Sequence, residues 1–244
     1  MRATEDRGPK QTRSVFGPRS TVGRNPPRLH FPAVIRLARA AFDLLYTRFA
    51  GVYDLVANLV SFGEWREWGA MALSFIPDDV RVLEIGHGPG HLHARIRARD
   101  LDAVGIDLSP QMGRLARRNL GAAGRPPRLA QADVARLPFA DATFGCVVST
   151  FPAAFIFDPT VLAEIQRVLQ PGGRAVVVPG VRLIKEDPLS KLARLAFGLT
   201  SGRAEPNAIA AAARARFEAA GFSFWQRNMG TDRAAVTVWL LRRW

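Results

Sequence analysis

Val82-Leu83-Glu84-Ile85-Gly86-His87-Gly88-Pro89-Gly90 is an apolar run that gives way to three glycines at alternate positions. A short apolar run closed by glycines reads as a buried strand turning into a helix. The glycines allow a tight turn and let the backbone come close to a ligand. The helix that follows, predicted over 91–99, offers unpaired N–H groups to a negative group. Asp107 ends the next predicted strand, 21 positions after Gly86. A carboxylate there accepts hydrogen bonds from ribose hydroxyls. Together these residues point to an adenosine-containing ligand in the crevice of a βαβ unit.

Two cofactor chemistries compete for that crevice. A dinucleotide site prefers G-x-G-x-x-G. Here the third glycine is Gly90 and His91 stands at the next position. Glu84 lies two residues before the first glycine. A carboxylate so placed repels a pyrophosphate but suits a ligand with an ammonium group. S-adenosyl-L-methionine carries an α-ammonium and a sulfonium and no phosphate, so charge favours it.

Outward from this stretch the chain alternates. Strands are predicted over 80–85, 103–106, 128–130, 145–150 and 174–179, and helices over 91–99, 110–120 and 159–169. That order implies parallel βαβ units. A helix over 208–220 ends at Gly221, a good helix C-cap, and 222–227 and 234–241 read as two closing strands. Upstream, Phe42, Leu45, Phe49, Val52, Val56, Leu59 and Val60 follow three- and four-residue steps, the spacing of amphipathic helices between about residues 32 and 76.

Residues 80–179 resemble the class I methyltransferases that use S-adenosylmethionine, and within them the branch containing the ubiquinone/menaquinone-biosynthesis C-methyltransferases. Five motifs carry the resemblance in order: Glu84 to Gly90; Val104-Gly105-Ile106-Asp107-Leu108-Ser109-Pro110-Gln111-Met112; Gln131-Ala132-Asp133-Val134 with Leu137-Pro138-Phe139; Phe144 to Thr150; and Arg167-Val168-Leu169-Gln170-Pro171-Gly172-Gly173. The resemblance implies a Rossmann-like α/β fold. Its seven-stranded sheet is mostly parallel, with one antiparallel strand near the edge, helices on both faces and an N-terminal helical cap. It implies that Glu84, Gly86, His87, Gly88 and Gly90 hold the methionine end of the cofactor and Asp107 the ribose. Leu108 and Met112 would lie near the adenine, Asp133 would accept from the adenine amino group, and Val134 would supply a backbone bond. Ser149 and Phe151 stand at the end of the fourth strand, where the acceptor approaches the cofactor; Ser149 is expected to contact the cofactor and Phe151 the acceptor. The domain then runs over 78–244, with a lid-like insertion over 181–205 and the cap over 31–77.

His87, His91 and His93 crowd into seven positions, but His87 lies in the turn before any helix and no carboxylate or cysteine joins them at ligand spacing, so no metal is expected. His87 is expected to meet the cofactor through its backbone. Tyr46 and Tyr53, the two tyrosines, fall on the cap and are candidate acceptor contacts. Trp65 and Trp68 read as packing residues. No catalytic residue stands out, which suits a reaction needing mainly alignment and exclusion of water.

Composition bounds the rest. The chain has 244 residues, 48% of them hydrophobic, enough for a real core, and a net charge of +13. Its single cysteine, Cys146, excludes an internal disulfide and any multi-cysteine metal site. Arginine supplies nearly all the positive charge, since only Lys10, Lys185 and Lys191 are lysines. Residues 1–30, with seven basic and two acidic side chains, are expected to be a disordered basic tail. No stretch is apolar enough to span a membrane and Met1 to Lys10 lack the apolar region of a secretory signal. The expectation is a cytoplasmic enzyme, with peripheral membrane contact an alternative, that methylates a small apolar or lipid-like acceptor. The rival readings are an RNA methyltransferase using the basic surface and a non-catalytic S-adenosylmethionine-binding assembly factor.

Overall fold

The computed structural model describes residues 61, 63–121, 126–185 and 206–244. The expected basic tail, residues 31–60 and 62 of the helical cap with Tyr46 and Tyr53, and most of the 181–205 insertion lie outside the described residues. Seven strands form one sheet: β1 Val82–Ile85, β2 Ala103–Asp107, β3 Leu129–Gln131, β4 Phe144–Thr150, β5 Leu169–Leu183, β6 Phe222–Gly230 and β7 Ala234–Arg243. Their spatial order is β3-β2-β1-β4-β5-β7-β6. The first five pair in parallel, and β7 runs antiparallel to both β5 and β6. This is the mostly parallel, seven-stranded sheet expected from the sequence, closed by the hairpin of the last two strands.

The helices are α1 Trp65–Ala70, α2 His91–Arg97, α3 Pro110–Leu120, α4 Pro159–Val168 and α5 Pro206–Ala219. Two of their starts are written locally. Ser109 caps α3 by accepting the Met112 N–H at 3.3 Å, and Pro110 takes the first position. Asp158 caps α4 by accepting the Thr160 N–H at 2.8 Å, with Pro159 behind it. A short polar cap followed by proline satisfies one orphan N–H and spares the helix another. At the other end of α5, Gly221 takes the left-handed conformation with φ +82°.

Neighbouring residues of each central strand feed opposite layers. Leu83, Ile85, Val147 and Val177 join Leu162, Ile165, Phe217 and Trp239 on one face. Val82, Cys146, Val148, Val176 and Val178 join Trp68, Ala72 and Ile96 on the other. A sheet buried on both faces explains why these strands read as unbroken apolar runs rather than as alternations. Glu64 ties α1 to the β6–β7 turn: it accepts from the Trp68 indole N–H at 3.0 Å and from the Thr231 hydroxyl at 2.8 Å.

Of the strands that exceed their expected lengths, β5 departs furthest, running Leu169–Leu183 where 174–179 is expected. The sequence stops β5 at Pro179, yet the strand continues to Leu183. Pairing with β7 shifts register between Val177 and Gly180 and then resumes as far as Leu183 opposite Ala234. An irregularity of this kind accommodates a proline that cannot donate to the ladder.

Candidate cofactor cleft

The cleft is built where β1 and β2 end side by side. Gly86 N–H and His87 N–H both donate to Ile106 O, at 2.8 and 3.1 Å, which draws the glycine loop over the end of β2. Gly86, Gly88 and Gly90 are all left-handed, with φ of +70°, +50° and +85°. A Cβ at Gly86 or Gly88 would meet nothing within 4 Å, so at these two positions the backbone conformation calls for glycine and the space beside them is open. A Cβ at Gly90 would instead lie 3.1 Å from Ala116 Cβ and Leu120 Cδ1. Gly90 therefore sets how closely α3 packs beneath the loop.

Asp107 braces this loop from the next strand. Its buried carboxylate accepts the Gly88 N–H at 2.9 Å through Oδ2 and the Ser109 N–H at 2.8 Å through Oδ1. A carboxylate oxygen can accept more than one hydrogen bond. Leu108, next in sequence, is 68% exposed, whereas Met112 is fully buried. Asp133 is exposed and its Oδ1 accepts the Ala135 N–H at 2.9 Å, so it shapes its own turn. Val134 packs half-buried against the core.

That turn is held from α4. Arg167 donates to Phe139 O at 2.7 Å, Leu137 O at 3.1 Å and Asp141 at 2.8 Å, while Glu164 accepts the Leu137 N–H at 2.7 Å. The Arg167 guanidinium bonded to Glu164 holds that carboxyl below the usual carboxylate range, against the opposing effect of burial.

Ser149 is buried and its hydroxyl donates to Ile85 O at 2.8 Å, tying β4 to the end of β1. Phe151 follows with φ +51°, a conformation that strains a non-glycine residue. Its ring stacks on Trp65 at a centroid distance of 3.9 Å. Trp65 therefore packs, half-buried, against the end of β4. Trp68 is fully buried, as expected. Burial pushes the Cys146 thiol up to about 12.

The histidines separate. The His87 ring is buried and its Nδ1–H donates to Gly88 O at 2.8 Å. His93, on α2, is buried and its Nδ1–H donates to Glu84 Oε2 at 3.0 Å. Sequence reasoning set His93 aside with the metal question and missed this bond. The available signal was its place three residues before Ile96, on the inward face of α2. A cavity of about 200 Å³ lies along β2 and α3, lined by His87, Asp107, Ser109 and Gln131 among others. A larger one of about 1070 Å³, between α4 and α5, shares no lining residue with the glycine loop.

This cleft falls within residues 82–173, which match the family model described as a methyltransferase domain. The demethylmenaquinone methyltransferase of Thermus thermophilus is 35% identical over 139 residues, covering 55% of this chain and 63% of that protein. The ubiquinone/menaquinone biosynthesis C-methyltransferase of Pasteurella multocida is 36% identical over 152 residues, covering 59% and 56%. The chain therefore spans less than two thirds of the length of these relatives. Among solved structures, a SAM-dependent methyltransferase of Thermotoga maritima aligns with TM-score 0.56 and 17% identity over 82% of this chain and 99% of that one. The 4+2 cyclase SpnF aligns equally well, with TM-score 0.56 and 16% identity over 87% and 97%. At such identities the likeness establishes the fold of the domain.

Its residues fit the cofactor of that domain class. The loop offers open space beside two left-handed glycines, a buried carboxylate sits behind it, and a second buried carboxylate closes the next strand. No helix among the described residues is long and apolar enough to cross a membrane.

Proposed function

We propose that the chain is an S-adenosylmethionine-dependent methyltransferase whose acceptor is a small apolar molecule of quinone or similar lipid-like type. The observation that carries the reading is the left-handed glycine loop braced by Asp107, with Glu84 behind it. S-adenosylmethionine, when bound, supplies a methyl group on a sulfonium sulfur, already activated for in-line displacement. Glu84 balances the ammonium charge that accompanies it. Asp107 accepts ribose hydroxyls while its backbone donors keep it oriented. Asp133 accepts the adenine amino group, and Leu108 and Val134 line the base. The chain's remaining task is alignment and exclusion of water. Alignment alone is worth roughly 7–11 kcal/mol of a barrier.

The acceptor side is read from Phe151 and Trp65 at the end of β4, with Tyr46 and Tyr53 as further candidates. The curated relatives named above support a quinone-like acceptor. Such a molecule dissolves in lipid, so peripheral contact with a membrane surface belongs to the proposal. The test offers labelled S-adenosylmethionine to the full chain with demethylated quinols in detergent, with phospholipid vesicles and with total RNA. Label is expected in the quinol. Label in RNA alone would replace this reading with the nucleic-acid one, and label in none, with cofactor bound, would favour a non-catalytic role.

A further inference from the structure

Glu84 and His93 form a buried polar pair that the fold does not need. Around them α2 packs through Leu92 and Ile96 against Val82, Val148 and Trp68, an apolar layer throughout. His93 has no solvent exposure and its Nε2 has no hydrogen-bond partner among the described residues. A buried unpaired nitrogen costs desolvation free energy that a leucine of similar size would not. The strand opposite makes room for it. In the β1–β2 register Glu84 faces Gly105, and a Cβ on Gly105 would come within 3.2 Å of His93 Nδ1 and 3.3 Å of His87 Cδ2. With nothing to receive a hydrogen at Nε2, the ring carries its hydrogen on Nδ1 and donates it to Glu84. That bond occupies Oε2 and leaves Oε1 for a ligand.

We propose that His93 is a positioning residue: it fixes the Glu84 carboxylate at the floor of the glycine loop for the cationic amino-acid end of S-adenosylmethionine. This rests on the cofactor reading given above. It separates two parts of the cleft. Asp107, Leu108 and Asp133 serve the adenosine end, whereas the Glu84–His93 pair serves only the end that carries the ammonium. A ligand with the same adenosine and no amino-acid part does not depend on His93.

The experiment titrates the full chain by calorimetry with S-adenosylmethionine and with 5′-methylthioadenosine, which lacks the amino-acid part and the positive charge. His93→Leu keeps bulk and removes the donor, and His93→Asn keeps an N–H near the place of Nδ1. The expected result is a loss of S-adenosylmethionine affinity of about tenfold or more in the leucine variant. Methylthioadenosine affinity stays within about twofold, and the asparagine variant recovers most of the loss. Parallel losses for both ligands would mark His93 as merely structural, and no loss for either would make it dispensable. Both results overturn the proposal. If His93→Leu does not fold, the ratio of the two affinities in His93→Met, which also removes the donor, decides in the same way. A wild-type chain that binds methylthioadenosine and not S-adenosylmethionine overturns the role of Glu84 and with it that of His93. A wild-type chain that binds neither rejects the cofactor reading itself.

Discussion

Asp107 serves two parties with one carboxylate. Its oxygens accept the Gly88 and Ser109 N–H groups, so it holds the glycine loop to the end of β2 before any ligand arrives. Hydrogen bonds to a charged group are worth about 1.5–3 kcal/mol each. Asp107→Ala should therefore weaken S-adenosylmethionine binding at least tenfold, by loosening the loop and by losing the ribose acceptor; calorimetry reads it, and unchanged affinity would remove Asp107 from the site. Cys146 gives a second prediction at this scale. Its thiol is raised to about 12 by burial, so at neutral pH it is protonated and hidden. Iodoacetamide should leave the folded chain unmodified and label it fully in denaturant, a contrast that mass spectrometry measures directly. The place of Asp107 at the end of β2, beside the glycine loop, was legible in the sequence because spacing from a glycine cluster survives translation into a βαβ unit. Its second task was not, since no sequence pattern says which N–H groups a carboxylate will find.

Glycines mark where elements are pressed together. Gly90 has φ +85° and its missing Cβ would touch Ala116 and Leu120 of α3. Gly90→Ala should cost about 1–2 kcal/mol for the left-handed backbone alone, with packing strain added, read as a lowered thermal midpoint. Gly105 is tighter still, because a Cβ there would come 2.7 Å from Leu129 Cδ2 and crowd both buried imidazoles. The loop after β3 depends on Glu164 and Arg167. Glu164 titrates below an ordinary glutamate, so its stabilising effect is present above the unfolded value near pH 4.3 and is lost as pH falls through the lower folded value. Glu164→Gln should flatten the acid limb of stability against pH, and an unchanged limb would contradict it. The starts of α3 and α4 were legible because Ser109-Pro110 and Asp158-Pro159 are local signals. The far end of β5 was not, because the strand passes Pro179 only through a register shift that its pairing with β7 permits.

At the level of the whole molecule, the sequence announced a seven-stranded, mostly parallel sheet through five ordered motifs, and the strand order β3-β2-β1-β4-β5-β7-β6 agrees. What composition suggested has shrunk in importance. Of the +13 charge, Arg114 and Arg117 line the cavity beside Asp107, among side chains that are otherwise mostly acidic, apolar or imidazole. The fold alone does not choose the chemistry, since a 4+2 cyclase aligns as well as a methyltransferase. The cleft has to choose it, through Glu84, the glycine loop and Asp107. Calorimetric titration of S-adenosylmethionine into the full chain tests that choice most directly, with NAD run beside it. The account predicts saturable one-to-one binding of S-adenosylmethionine and none of NAD. Binding of NAD in its place, or of neither, would contradict it.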